Sequence, residues 1–292
     1  MSEISITVIV PSFNHEKYIK TCILSILNQS YKNFKLIVID DGSTDNSVEI
    51  LKTLSIKYDF RLIIQNNLGL ARTFNNAICE YVDTEFVTFC ASDDFWEKDK
   101  LLLQYNFMKE NPDCLMCYGK MYIVDEFGKI HKSSNYHKNF KGGKIFDSLL
   151  LLKLHLPVTY FFRTITFEKV GLYDINIFAE DYDMNLRIAN ISEIGFIDKY
   201  LANYRINDIK YKLKNFDRVV ESHLLTLEKF KDHKLYQKAK NRILLNRAYA
   251  YSIFKSKKID AIHILFQNLE NLFTMSFIKS IYNLMFHWKN LN

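Results

Sequence analysis

Through the first half of the chain, apolar positions come in short unbroken runs. Each run is followed by a polar cluster and then by a stretch in which apolar residues recur every three or four places. Ile4 to Val10 is nearly continuously apolar and ends at Pro11-Ser12-Phe13-Asn14, the pattern of a central parallel strand that empties into a loop. From Tyr18 the positions Ile19, Cys22, Ile23, Ile26 and Leu27 fall at helical spacing, and Asn28-Gln29-Ser30 stops the helix. Lys35 to Ile39 repeats the strand pattern. Asp41-Gly42-Ser43-Thr44-Asp45 then supplies a turn and a capping residue for a helix marked by Val48, Ile50, Leu51 and Leu54. Arg61 to Ile64, a helix through Phe74, Ala77 and Ile78, and the strand Phe86 to Cys90 continue the alternation. Strands alternating with helices across short loops predict an α/β fold: a doubly wound, mostly parallel sheet with helices on both faces. Ligands of such a sheet bind beyond the carboxyl ends of its strands.

Past Asp94 the alternation loosens. A helix from about Lys98 to Lys109 leads to a strand from Cys114 to Val124 and a turn at Asp125-Glu126-Phe127-Gly128. The polar, lysine-rich stretch His131 to Gly143 reads equally as a lid or as a solvated surface excursion. From Phe216 the pattern is helical almost to the end, which divides the chain into a catalytic domain over 1–212 and a helical C-terminal extension over 213–292. The final apolar stripe, from Ile262 and Leu265 to Met285 and Trp288, is flanked by Lys279, His287 and Lys289. It reads either as an interfacial helix on anionic lipid or as a face packed on the preceding helices.

Composition narrows the class. With 292 residues, 48% hydrophobic and with only three prolines, the chain can build a sizeable core and has little room for linker. A net charge of +6, spread out and without a groove-reading motif, suits an anionic membrane face or a pyrophosphate-bearing substrate, and no nucleic-acid partner is expected. No run approaches the roughly 18 apolar residues of a spanning helix, and no signal-peptide pattern precedes the first strand, so a cytoplasmic location is expected, including its membrane face. Five irregularly placed cysteines argue against a disulfide framework, and Cys114-Leu115-Met116-Cys117 sits in a strand pattern that makes it packing. GxGxxG, GxxxxGK[ST] and GxSxG motifs are all lacking.

Candidate chemistry lies in three carboxylate pairs at element boundaries. Asp93-Asp94 ends the run Thr88-Phe89-Cys90-Ala91-Ser92, Asp40-Asp41 ends the second strand, and Glu180-Asp181 opens a helical pattern carrying Met184, Leu186 and Ile188. Hard oxygen ligands suit magnesium or manganese, which in turn bind phosphates, so paired acids at strand ends point to metal-assisted chemistry on a sugar nucleotide.

Pro11-Ser12-Phe13-Asn14, Asp40 to Asp45, Ser92-Asp93-Asp94 and Glu180-Asp181-Tyr182-Asp183 occur in the order and approximate spacing of one large family. The chain resembles the inverting family-two glycosyltransferases of the GT-A fold, closely from Ile4 to about Gly128 and again from about Val170 to Arg205. Each piece alone is weak; four in register are specific. The resemblance implies donor contacts from Pro11 and Phe13 against base and ribose, from Asp41 to the base and from Asp93 to the ribose. A carboxylate at Asp41 can accept the imide N–H of uracil or thymine, which favours a UDP- or dTDP-sugar. By the same resemblance Asp94 ligates Mn2+ or Mg2+, Asp181 is the catalytic base and Glu180 binds or orients the acceptor. Arg205 supplies a cation to the donor diphosphate. Asn207 stands where the family usually has a histidine that helps hold the diphosphate, and Arg72 is a weaker donor candidate. Phe161-Phe162-Arg163 and Gly171-Leu172-Tyr173-Asp174 resemble the segment that lines the acceptor site, where His155 and Tyr160 either touch the acceptor or belong to the core. The implied activity is metal-dependent, inverting transfer of a single sugar to a saccharide acceptor, lipid-diphosphate-linked in bacterial O-antigen or capsule synthesis. The alternative from another class is a catalytically inactive sugar-nucleotide-binding or scaffolding subunit. A nucleotidyltransferase would need a glycine- and lysine-rich N-terminal loop that the chain lacks.

Overall fold

The computed structural model describes residues 4–131, 140–206 and 214–286. Strands β1 (Ile6–Ser12), β2 (Phe34–Asp40), β3 (Arg61–Ile64) and β4 (Phe86–Phe89) pair in parallel. Helices α1 (Ile19–Leu27), α2 (Ser47–Lys57) and α3 (Leu70–Tyr81) connect them. There follow β5 (Phe95–Trp96), α4 (Lys100–Glu110), β6 (Met116–Val124), α5 (Phe146–Leu150), β7 (Phe161–Arg163), α6 (Thr166–Val170), α7 (Glu180–Ile191) and β8 (Ile194–Arg205). Across the sheet the order is β3-β2-β1-β4-β7-β6-β8-β5. β7 runs antiparallel to β4 and β6, β8 is parallel to β6, and β5 is antiparallel to β8. The doubly wound, mostly parallel sheet is thus as expected, with antiparallel strands interleaved in its second half.

The unbroken apolar runs arise because both faces of the sheet are covered. Ile6, Val8 and Val10 of β1, with Leu36 and Val38 of β2, join a core that includes Cys22, Ile23 and Ile26 of α1, Leu51 of α2 and Leu101 of α4. Their alternates Ile9, Ile37 and Ile39 face the other core, with Phe74, Ala77 and Ile78 of α3 and Leu186 and Ile188 of α7. Burying each such side chain contributes roughly 1.5–3 kcal/mol, so these runs fix the register of the central strands.

Two strands went unread in the sequence. β5 has only two residues, and the middle of β8, Phe196 to Tyr200, is half-buried or exposed, so its apolar alternation breaks. α4 begins with a fully buried lysine, Lys100, whose ammonium donates to Gln104 Oε1 at 2.6 Å and Thr88 Oγ1 at 3.2 Å and lies 4.0 Å from the Trp96 ring centroid. All five cysteines are free thiols, and Cys114 and Cys117 are packed in the core as expected.

The C-terminal helices are α8 (Phe216–Glu228), α9 (Tyr236–Ile253), α10 (Lys258–Phe266) and α11 (Met275–Phe286). Val220 and Leu227 of α8 and Ala239 and Ile243 of α9 join the main core, whereas Leu245, Ala248, Leu265 and Phe277 form a small cluster of their own. The final apolar stripe is therefore two helices, parted by a 3-10 turn at Leu269–Asn271. Leu265 and Phe277 point inward, but Phe266 is 68% and Phe273 95% exposed. No helix among the described residues is long and apolar enough to cross a membrane. Most of the 131–143 stretch, Asn207, and His287, Trp288 and Lys289 of the stripe lie outside the described residues.

Candidate active site

The loops after β1, β2 and β4 meet at the carboxyl edge of the sheet. Asn14, at φ 54°, donates its N–H to Ser43 Oγ at 2.9 Å and accepts the Thr44 N–H on Oδ1 at 2.7 Å. Asp45 accepts the Glu16 and Ser47 N–H groups at 3.0 and 2.9 Å, so it fastens the start of α2 to the first loop. Asp40 is consumed within its own turn by the Ser43 N–H and hydroxyl. Gly42 is required here: its φ is +79°, and a Cβ would lie 2.8 Å from the Asn67 nitrogen.

Asp41 is buried and accepts from Gln65 Nε2 at 2.7 Å and from the Leu68 and Gly69 N–H groups at 2.8 and 2.9 Å. Three of the roughly four lone-pair directions of a carboxylate are thus used, and one remains for a ligand donor. Ser92 Oγ lies 2.7 Å from His15 Nδ1, tying the third loop to the first.

Asp94 is only 6% exposed and one of its oxygens accepts the Arg205 N–H at 2.8 Å. Burial, then the charge of Asp93, raises its carboxyl well above the ordinary range. The neighbouring Asp93 is half-buried. Among the described residues no three His, Cys, Asp or Glu side chains form a self-sufficient metal cage. The hard oxygens of Asp94, with Asp93 beside it, would suit a divalent cation that drew its remaining ligands from a diphosphate and water, the usual habit of magnesium.

Arg205 has its guanidinium engaged by the backbone. It is 5% exposed, and its donors go to the carbonyls of Asp93 at 2.9 Å, Asp125 at 2.9 Å and Glu126 at 2.6 Å. The Tyr18 ring centroid lies 4.5 Å from it. It clamps the Ser92-Asp93-Asp94 turn to the turn after β6, a positioning contact.

Glu180 and Asp181 open α7. The Asp181 carboxylate accepts the Tyr182 N–H at 2.7 Å. Burial raises Asp181 above the ordinary carboxylate value, an effect that the N–H bonds, the charge of His155 and the Tyr160 hydroxyl offset only in part. Burial, then the Asp181 charge, pushes Glu180 up to about 8. The next acid, Asp183, is structural: fully buried, it accepts Arg187 Nε at 2.8 Å and Lys229 Nζ at 2.7 Å, which ties α7 to α8 and its following turn. Arg187 also donates to the carbonyls of Val170, Gly171 and Leu172, holding the segment that leads into the acids.

These segments share one cleft of about 950 Å³, lined by Pro11, Phe13, Asp41, Ser92 and Glu180. Asp93, Asp94 and Asp181 are not among its lining residues; after burial, their charges push the Tyr204 phenol up to about 12. Tyr204 thus lies within electrostatic reach of acids from distant parts of the sequence.

Residues 7–170 match the family described as Glycosyl transferase family 2. The chain belongs to this glycosyltransferase family. An uncharacterised glycosyltransferase of Rickettsia felis is 30% identical over 209 residues, 71% of this chain but 34% of its own length, so the chain spans about a third of that relative. Among solved structures, Staphylococcus aureus TarS 1–349 in complex with UDP-GlcNAc superposes with a TM-score of 0.68 at 22% identity, covering 96% of this chain and 89% of that one. The mannosyltransferase PcManGT from Pyrobaculum calidifontis, in complex with GDP-Man and Mn2+, gives 0.58 at 14% identity, covering 98% and 88%. These likenesses establish the GT-A-like fold of a family-two glycosyltransferase.

Several cleft-lining residues were missed in the sequence. His15, the Asn67–Gly69 backbone, and Arg218, Ser222 and Leu225 of α8 all line the cleft. The pattern Asn67-Leu68-Gly69 offered a signal for a turn only, and α8 lies beyond the segments that resemble the family.

Proposed function

We propose that the chain is a metal-dependent, inverting glycosyltransferase that moves one sugar from a UDP- or dTDP-sugar to a saccharide acceptor. The acceptor is a lipid-diphosphate-linked intermediate of bacterial surface polysaccharide. The observation that carries this is one cleft whose lining includes Pro11, Phe13, Asp41, Ser92 and Glu180. UDP-GlcNAc bound to a neighbour of the same fold supports the donor class, and Mn2+ in another supports the cation.

In this reading Phe13 covers the base, the free lone pair of Asp41 takes its imide N–H, and Asp93 meets the ribose. Asp94, with Asp93 beside it, holds Mn2+ or Mg2+, which when bound offsets charge on the departing nucleoside diphosphate. Glu180, protonated at neutral pH, donates to the acceptor. Asp181 takes the acceptor hydroxyl proton as that oxygen attacks the anomeric carbon and the bond to the diphosphate breaks. Residues 1–212 form the catalytic unit, and 213–292 an extension whose first helix closes the cleft. The exposed apolar faces of α10 and α11 rest on the cytoplasmic membrane surface.

Asp181→Asn is expected to lower turnover of a UDP-sugar by about 10²–10⁴-fold, with UDP affinity unchanged by calorimetry. Retained turnover removes the base assignment.

A further inference from the structure

Arg218 lies in the first turn of α8, on the same helix face as Glu221, Ser222 and Leu225, and all four line the cleft. Its guanidinium sits 4.1 Å from the Phe178 ring centroid, two residues before Glu180, and one of its nitrogens donates to Asn215 Oδ1 at 3.3 Å. Glu221, the acid on that face, lies 3.8 Å from Arg247 instead, and Arg218 has no ion pair among the described residues. A guanidinium carries five N–H donors in a rigid fork; stacked on Phe178 with one donor engaged, the rest are pre-oriented for a planar or tetrahedral oxyanion.

The surroundings specify more than charge. Leu225 and Ile175 line the cleft beside it, 53% and 50% exposed, although a sugar nucleotide needs no such apolar wall. Pro11, Phe13 and Asp41, read as the base contacts, belong to the sheet edge, whereas Arg218 stacks on Phe178, two residues before Glu180, the residue read as binding the acceptor. Arg205, the cation expected for phosphate, is committed to backbone carbonyls.

We propose that Arg218 binds the phosphoryl group of the acceptor, with Leu225 and Ile175 holding the apolar chain that carries it. This rests on the transferase reading above and makes Arg218 a specificity residue for an amphipathic, phosphorylated acceptor.

Farnesyl monophosphate, inorganic phosphate and farnesol, each titrated calorimetrically into the full chain saturated with UDP and Mg2+, test it. Farnesyl monophosphate is expected to bind more tightly than either other probe. Arg218→Ala is expected to weaken it about tenfold or more, and Arg218→Lys by less, since a point charge keeps attraction but loses the stacked fork. Leu225→Asn is expected to weaken farnesyl monophosphate but not inorganic phosphate. Equal binding by wild type and Arg218→Ala overturns the proposal, as does farnesol matching farnesyl monophosphate. A fall in UDP affinity in Arg218→Ala also overturns it, by moving the residue to the donor side. Failure of the wild type to bind UDP strikes the transferase reading instead.

Discussion

Glu180 lines the cleft, while Asp181 beside it is set back, where the Tyr182 N–H and the Tyr160 hydroxyl favour its ionised form. Tyr160 is itself held by Asn185 Nδ2 at 2.9 Å, one helical turn beyond Asp181. Burial leaves both acids raised, Glu180 to about 8, and Asp181 is the one better supplied with hydrogen-bond donors that offset it. With Glu180 raised to about 8, turnover should fall as pH rises through that value and Glu180 loses its proton. Glu180→Gln, which keeps an N–H donor, is expected to retain most turnover and lose this alkaline limb; a variant whose pH profile keeps the limb contradicts the assignment. The acids were legible in the sequence because each ends a strand run or begins a helix. The roles of the arginines were not: Arg205 and Arg218 differ only in what tertiary packing places around them, three carbonyls in one case and an aromatic face in the other.

The elements that carry Pro11, Phe13 and Asp41 were readable because β1, β2 and β4 are covered on both faces, which leaves continuous apolar runs. β8 was not, because its exposed middle carries Asp198 and Lys199 and its register against β6 slips near Lys120. The packing of α4 adds a pH-dependent term. Burial lowers the Lys100 ammonium from 10.5 to about 7, so between those values the unfolded chain binds a proton that the folded chain does not. Stability contributed by this group therefore rises with pH across that window, by up to about 1.4 kcal/mol per pH unit. Urea unfolding of Lys100→Met between about pH 7.5 and 9 should show a flatter rise than the wild type. Equal slopes would mean that Lys100 stays charged in the core.

At the scale of the molecule, the catalytic sheet and the C-terminal helices differ in what they leave exposed. The main core takes in α8 and the first half of α9, whereas α10, α11 and the connection between them keep only a small cluster and turn Phe266, Phe273 and Met285 outward. Apolar periodicity alone did not distinguish packing from display, since both use the same spacing. Phe266→Asp combined with Phe273→Asp should abolish co-sedimentation with anionic vesicles; a wild type that stays in the supernatant refutes the membrane role. The central claim is that acids from distant parts of the sequence act on one nucleotide sugar, and a crystal structure with UDP and Mn2+ tests it most directly. The account expects uracil against Phe13 and Asp41, manganese in contact with Asp93 or Asp94, and Asp181 facing the open end of the diphosphate. UDP seated outside this cleft, or manganese held by neither acid, would contradict it.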